Sequence, residues 1–319
     1  MPQLRSLGTT GLSVAPLVVG GNVFGWTADA PTSFAVLDAF FAGGVTMIDT
    51  ADAYSAFAPG NAGGESETII GAWMKARSNR DRVQVATKVG MLPIDGRKGL
   101  APAVIAAGVD ASLRRLQTDY IDLYYAHQDD EAVAQEAVAE AFDRLVTAGK
   151  VRAVGASNFT QQRLASALAI SDRDGLARYG ALQPAFNLMT TEKLPAEYRR
   201  FCQAEGIGIL PYFGLASGFL TGKYRTVDDV EGTARAGGLR DYFTARGTAV
   251  LAALDRVAAE TGANPAQIAL AWVMATPGIT APIASATSVA QAEGLLPAMT
   301  LSLSAAQMAA LDAAAVTPA

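Results

Sequence analysis

Polar side chains stand at the ends of short apolar runs along this chain. Asp49 closes TMID, Lys88 closes VQVATK, and His127 follows YIDLYYA. Ser157 and Asn158 follow VRAVGA, Gln183 closes ALQ, and Tyr212 follows IGILP. Tyr54 comes five residues after Asp49, in DTADAY. Asp49, Tyr54, Lys88 and His127 together make a general-acid site. A phenol with a pKa near 10 is a poor proton donor at neutral pH, but a neighbouring ammonium stabilises its phenolate. A carboxylate fixes that ammonium, and an imidazole beside the phenol orients a substrate carbonyl. Tyr54 then protonates oxygen while a hydride reaches carbon.

Such residues need a scaffold that brings six strand ends together. Strand candidates lie at 17–20, 46–49, 83–88, 120–126, 151–155, 181–183, 207–211 and 278–283, with helical stretches such as 103–117 and 137–150 between them. Strands alternating with helices imply parallel βαβ units. Eight units favour a single (β/α)8 barrel over residues 1–319, whose sites are built on its C-terminal face; a doubly wound sheet is the alternative. Residues 3–14 read as a β-hairpin under the barrel floor. Residues 212–245 form a long Gly-rich loop of the kind that makes lids and binding loops.

Composition narrows the function. Half of the 319 residues are apolar and 17% are charged, which suits a large core. The formal net charge of −5 offers no electrostatic footprint for nucleic acid or an anionic membrane. A single Cys (Cys202) and a single His exclude an internal disulfide and metal sites built on several His or Cys ligands. No signal-peptide pattern or long apolar run is present, so a cytoplasmic, soluble protein is expected, as a monomer or small homo-oligomer.

With LGTTGLSV at 7–14, GGNVFG at 20–25, IDTADAY at 48–54, GGESETIIG at 63–71, ATK at 86–88, YIDLYYAH at 120–127, GKVRAVGASNF at 149–159 and GFLTGKY at 218–224, the chain resembles the aldo-keto reductase superfamily over nearly its whole length. The resemblance implies a (β/α)8 barrel, a small-molecule aldehyde, ketone or alcohol substrate, a nicotinamide cofactor and no metal. It places the catalytic tetrad on Asp49, Tyr54, Lys88 and His127. It assigns the nicotinamide carboxamide to Ser157, Asn158 and Gln183, ring stacking to Tyr212, and the pyrophosphate to a loop with Leu215, Ser217 and Gly218. Ser285 and Gln291 approximate the adenosine-phosphate end.

Gly21 and Asn22, in GGNVFG, are expected near the bound molecules; the run is not GxGxxG and supports no Rossmann site. Trp26 and Phe57 form either an aromatic substrate wall or partial core packing. The chain departs from the superfamily pattern at PYFGL (211–215), at Ala185-Phe186-Asn187, and in its tail, where no Lys or Arg follows Arg256. NADP(H) is the superfamily's default cofactor, but a 2′-phosphate held near the tail would lack ionic partners, so weakened NADP selectivity is expected, which leaves NAD(H) open as an alternative. The other readings are a non-catalytic nicotinamide-binding regulatory subunit and a lyase or isomerase on the same barrel.

Overall fold

A computed structural model describes residues 3–94, 96–233 and 236–316. Two short antiparallel strands, β1 (Arg5–Ser6) and β2 (Ser13–Val14), open the chain. Eight parallel strands follow: β3 (Val18–Gly20), β4 (Met47–Asp49), β5 (Gln84–Val89), β6 (Ile121–Ala126), β7 (Val151–Ser157), β8 (Tyr179–Gln183), β9 (Gly208–Ile209) and β10 (Ile283–Ala284). They pair in the order β10-β3-β4-β5-β6-β7-β8-β9. The remaining seam is closed by main-chain bonds: Ile283 N–H donates to the Pro211 carbonyl at 2.8 Å, and Thr280 N–H donates to the Ile209 carbonyl at 2.9 Å. The sheet therefore curls onto itself as the (β/α)8 barrel the alternation predicts.

The helices between strands are α1 (Ala30–Ala42), α2 (Glu65–Arg77), α3 (Pro102–Leu116), α4 (Gln135–Thr147), α5 (Gln161–Asp174) and α6 (Ala196–Ala204). Their starts follow local rules: Pro opens α3, and the Thr160 hydroxyl caps α5 by accepting from the Arg163 amide. Between β9 and β10 come short 3₁₀ turns, α7 (Ala236–Leu239), α8 (Ala245–Thr261) and α9 (Pro265–Ala275); α10 (Val289–Leu295) and α11 (Ala305–Ala315) end the chain. The loop expected at 212–245 is thus broken into short helical turns. None of the described helices is long and apolar enough to cross a membrane.

One strand differs from its expected position. The run 278–283 was expected as the eighth strand, but regular pairing occurs only at Ile283–Ala284. Pro282 has no N–H to give the ladder, so residues before it run alongside β9 without forming a strand.

Alternation along the strands separates two cores. Met47, Ala86, Leu123, Tyr125, Ala153 and Ala181 point into the barrel, where Leu7, Leu12 and Val14 of the hairpin plug the floor. Ile48, Val85, Tyr124, Val154 and Leu182 point outward against the helices. The hairpin docks closely: Thr9 N–H donates to the Gly206 carbonyl at 2.8 Å. A Cβ on Gly8, which sits at φ +52°, would lie 2.3 Å from the Gly208 amide nitrogen.

Candidate active site

The same period of two carries the inward face to the C-terminal strand ends. Asp49 follows Met47, Lys88 follows Ala86, His127 follows Leu123 and Tyr125, and Gln183 follows Ala181. The ladder fixes their heights, with Asp49 opposite Ala86 and Lys88 opposite Tyr125. It continues past the strands: His127 N–H donates to the Val89 carbonyl at 3.0 Å, and Asp52 N–H to the Lys88 carbonyl at 3.3 Å.

Lys88 is the centre of the cluster. Its ammonium donates to Asp49 Oδ2 at 2.8 Å, to the Thr50 carbonyl at 2.7 Å and to the Tyr54 hydroxyl at 2.8 Å. These three acceptors match its three N–H bonds, and the side chain is fully buried. The Tyr54 hydroxyl also donates to Asp49 Oδ2 over a longer 3.3 Å, while Gln183 Nε2 donates to Asp49 Oδ1 at 2.7 Å. The His127 ring stands edge-on to Tyr54, with centroids 6.0 Å apart. Its Nδ1 is buried without a hydrogen-bond partner among the described residues.

Burial governs the ionisation of these groups. It pushes the Tyr54 phenol well above its ordinary value, reinforced by the Asp49 charge. Burial lowers Lys88, opposed by Asp49. His127 is pushed down to about 3, by burial first and the Lys88 ammonium second, so it is a neutral imidazole at physiological pH. The arrangement holds a proton on a phenol beside an ammonium already in place for the phenolate. It can therefore act as a general acid or base.

The loop carrying Tyr54 is tied down by residues that the sequence reading passed over. Ser55 is buried at φ +71°, a left-handed conformation unfavourable for a side chain, and its hydroxyl donates to the Phe24 carbonyl at 2.8 Å. The Asn61 amide donates to the Gly25 carbonyl at 2.8 Å. Ser66, on α2, donates to the Gly21 carbonyl at 2.7 Å and accepts from Thr50 at 2.8 Å. Gly21 needs to be glycine here, since a Cβ would meet the Asp49 carbonyl and the Ser66 hydroxyl at 2.9 Å.

A second arc joins the other residues singled out. The Ser157 hydroxyl donates to the Gln183 carbonyl at 2.9 Å; the Asn158 amide donates to the His127 carbonyl at 3.0 Å and to Ser157 Oγ at 3.1 Å. The Tyr212 hydroxyl donates to Asn158 Oδ1 at 2.8 Å, which sets its half-buried ring beside the amide groups. Amide and hydroxyl groups next to an accessible aromatic ring suit a planar carboxamide-bearing heteroaromatic ring. Leu215, Ser217 and Gly218 lie in a turn where Ala216, Ser217 and Gly218 have positive φ, with Lys223 nearby. A cation beside a turned backbone suits a pyrophosphate. The site therefore fits a nicotinamide dinucleotide.

Farther out, the Ser285 hydroxyl donates to Asn22 Oδ1 at 2.5 Å, and Gln291 Oε1 accepts from the Thr287 amide at 2.9 Å and hydroxyl at 3.1 Å. Trp26 and Phe57 pack edge to face with centroids 4.8 Å apart, and Phe57 is exposed. Cys202 is buried. No group of His, Cys, Asp or Glu among the described residues could hold a metal.

Known proteins resemble this chain over nearly all its length. It is 33% identical to an uncharacterised oxidoreductase, YrpG, of Bacillus subtilis (93% of this chain, 91% of the relative). It is 31% identical to norsolorinic acid reductase B of Aspergillus parasiticus (94% and 81%), and 31% identical to a probable voltage-gated potassium channel subunit beta of Oryza sativa subsp. japonica (89% and 87%). The model of the Aldo/keto reductase family matches residues 16–316, and the chain belongs to that family of oxidoreductases.

Proposed function

We propose that this chain reversibly reduces an aldehyde or ketone to the alcohol with a nicotinamide cofactor, Tyr54 acting as the proton donor. The observation that carries the reading is the Lys88 ammonium, buried and 2.8 Å from both the Asp49 carboxylate and the Tyr54 hydroxyl. When bound, the nicotinamide supplies or accepts the hydride. Tyr54 delivers its proton to the carbonyl oxygen, and Lys88 holds the resulting phenolate. Asp49 keeps the ammonium oriented, while Gln183 holds the second carboxylate oxygen of Asp49. Neutral His127 donates a hydrogen bond to the substrate oxygen and takes no proton itself.

Cofactor contacts are assigned to Ser157, Asn158, Gln183 and Tyr212 around the nicotinamide, to Leu215, Ser217 and Gly218 at the pyrophosphate, and to Gly21, Asn22, Ser285 and Gln291 toward the adenosine side. NADP(H) is the usual cofactor of the family. The absence of Lys and Arg after Arg256 supports NAD(H) use by this chain. Trp26 and Phe57 favour a sugar, an aromatic aldehyde or a bulky ketone as substrate. We place the protein in the cytoplasm, as a monomer or small homo-oligomer.

A panel of carbonyls and alcohols, followed by nicotinamide absorbance with NADPH and NADH in parallel, tests the reading. Turnover that Tyr54→Phe abolishes while cofactor still binds supports it. Tight cofactor binding with no turnover on any carbonyl would instead support a regulatory subunit, a reading that the potassium-channel relative raises and the intact tetrad opposes.

A further inference from the structure

Behind Lys88, on the outer side of the barrel wall, lies a second charged cluster that the reaction above does not use. Alternation turns Thr87 of β5 and Tyr124 of β6 outward as it turns Lys88 and Tyr125 inward. Against this outer face α2 brings Glu67, α3 brings Arg115 and the turn after β4 brings Asp52. Asp52, Glu67, Thr87 and Tyr124 are all fully buried.

The two carboxylates are treated unequally. Glu67 is satisfied: Thr87 donates to one oxygen at 2.6 Å and the Arg115 guanidinium to the other at 2.6 Å. Neither oxygen of Asp52 has a hydrogen-bond partner among the described residues, and the Tyr124 hydroxyl has none either. The Ala53 and Gly90 amides face Asp52 but fall short of hydrogen-bond geometry. An unpaired buried carboxylate is strongly disfavoured and binds a proton instead.

The charges balance only if it does. Lys88 pairs with Asp49, and Arg115 with Glu67. An ionised Asp52 is the one charge left over in this set. Its burial and the Glu67 charge raise Asp52 to about 7, against the pull of Arg115. Asp52 and Glu67 both act on Lys88 and on Tyr124.

We propose that Asp52, a fully buried carboxyl with no hydrogen-bond partner among the described residues, is a positioning residue that acts through the barrel wall, and that its charge, when present, holds Lys88 protonated. Asp52 touches no substrate. It is held in register by its own N–H, which donates to the Lys88 carbonyl at 3.3 Å. Loss of its charge weakens the field that keeps the ammonium charged, and Lys88 then titrates at lower pH.

The proposal rests on the reading of Lys88 and Tyr54 as the catalytic pair, so its test has one arm that needs no turnover. Infrared difference spectra of wild type against Asp52→Asn, from about pH 5 to about pH 9, are expected to show a protonated carboxyl that disappears through neutrality. Glu67→Gln removes the repelling charge and should move that titration to lower pH, which keeps the test usable if Asp52→Asn folds poorly. In the kinetic arm, Asp52→Asn should lose the neutral inflection of kcat and shift its alkaline limb acidward by roughly one unit, with KM little changed. An active wild type with no titrating carboxyl, or an unmoved limb in the variant, overturns the switch alone. A titrating carboxyl in a wild type inert toward every carbonyl overturns the catalytic reading and the switch with it.

Discussion

The ends of β4, β5 and β6 and the loops after β9 and β10 share one rim but are built differently. On the first arc the polar groups are buried and bonded inward: Lys88 spends its three donors on Asp49, Thr50 and Tyr54, and Gln183 takes the remaining carboxylate oxygen. On the second, half-buried Ser285 and Thr287 and exposed Gln291 bond to Asn22 or to each other, and the loop after β10 has no Lys or Arg. Fixed charges in a dry wall keep a proton donor in one geometry. Neutral side chains on a wet rim can change partner at little cost. The arc after β4–β6 is therefore the place to look for chemistry, and the arc after β9–β10 for cofactor choice.

The largest expected effect breaks the first arc. Tyr54→Phe should lower kcat by about 10³-fold, within the range for losing a general acid, with cofactor affinity unchanged by fluorescence titration. A variant with near-normal kcat would remove Tyr54 from the mechanism.

Next comes acid sensitivity. His127 binds a proton near 6.5 when unfolded but only at about 3 when folded, so the unfolded chain takes up protons first. Stability should thus be full above about pH 6.5 and fall as pH drops toward 3. His127→Asn should show a flatter loss of Tm over that window; an equal slope would argue that the imidazole is not held neutral.

The third prediction addresses the other arc. Gln291→Arg supplies the missing cation and should raise the ratio of kcat/KM for NADPH over NADH about tenfold, or roughly 1.4 kcal/mol. An unchanged ratio would separate residue 291 from the phosphate end of the cofactor.

The smallest effect concerns the tether of the Tyr54 loop. Ser55→Ala loses the bond to the Phe24 carbonyl while keeping a strained backbone, and should cost about 1 kcal/mol in denaturant unfolding. Ser55→Gly loses the same bond but relieves the strain, so it should cost less.

Much of the first arc was legible because strand periodicity is local. Asp49, Lys88 and Gln183 sit two residues beyond Met47, Ala86 and Ala181, so the pattern that marks the barrel interior also marks the catalytic face. The eighth strand was placed too early because an apolar run shows its hydrophobicity but not which amides find a partner across the seam. Ser55 was invisible for a related reason: nothing in its neighbours announces a left-handed conformation or an acceptor 31 positions earlier in the chain.

By itself, then, the sequence determined the alternation of strand and helix, the inward parity of the site residues and the absence of cations after Arg256. Each is a matter of residue type and spacing along one segment. Only the tertiary structure decided that Gln183 reaches Asp49 across 134 positions, that Glu67 takes Arg115 and Thr87, and that Asp52 is left without a hydrogen-bond partner among the described residues. The ionisation of a buried group depends on what other segments bring to it and on how much water they exclude, and neither quantity exists until the barrel closes.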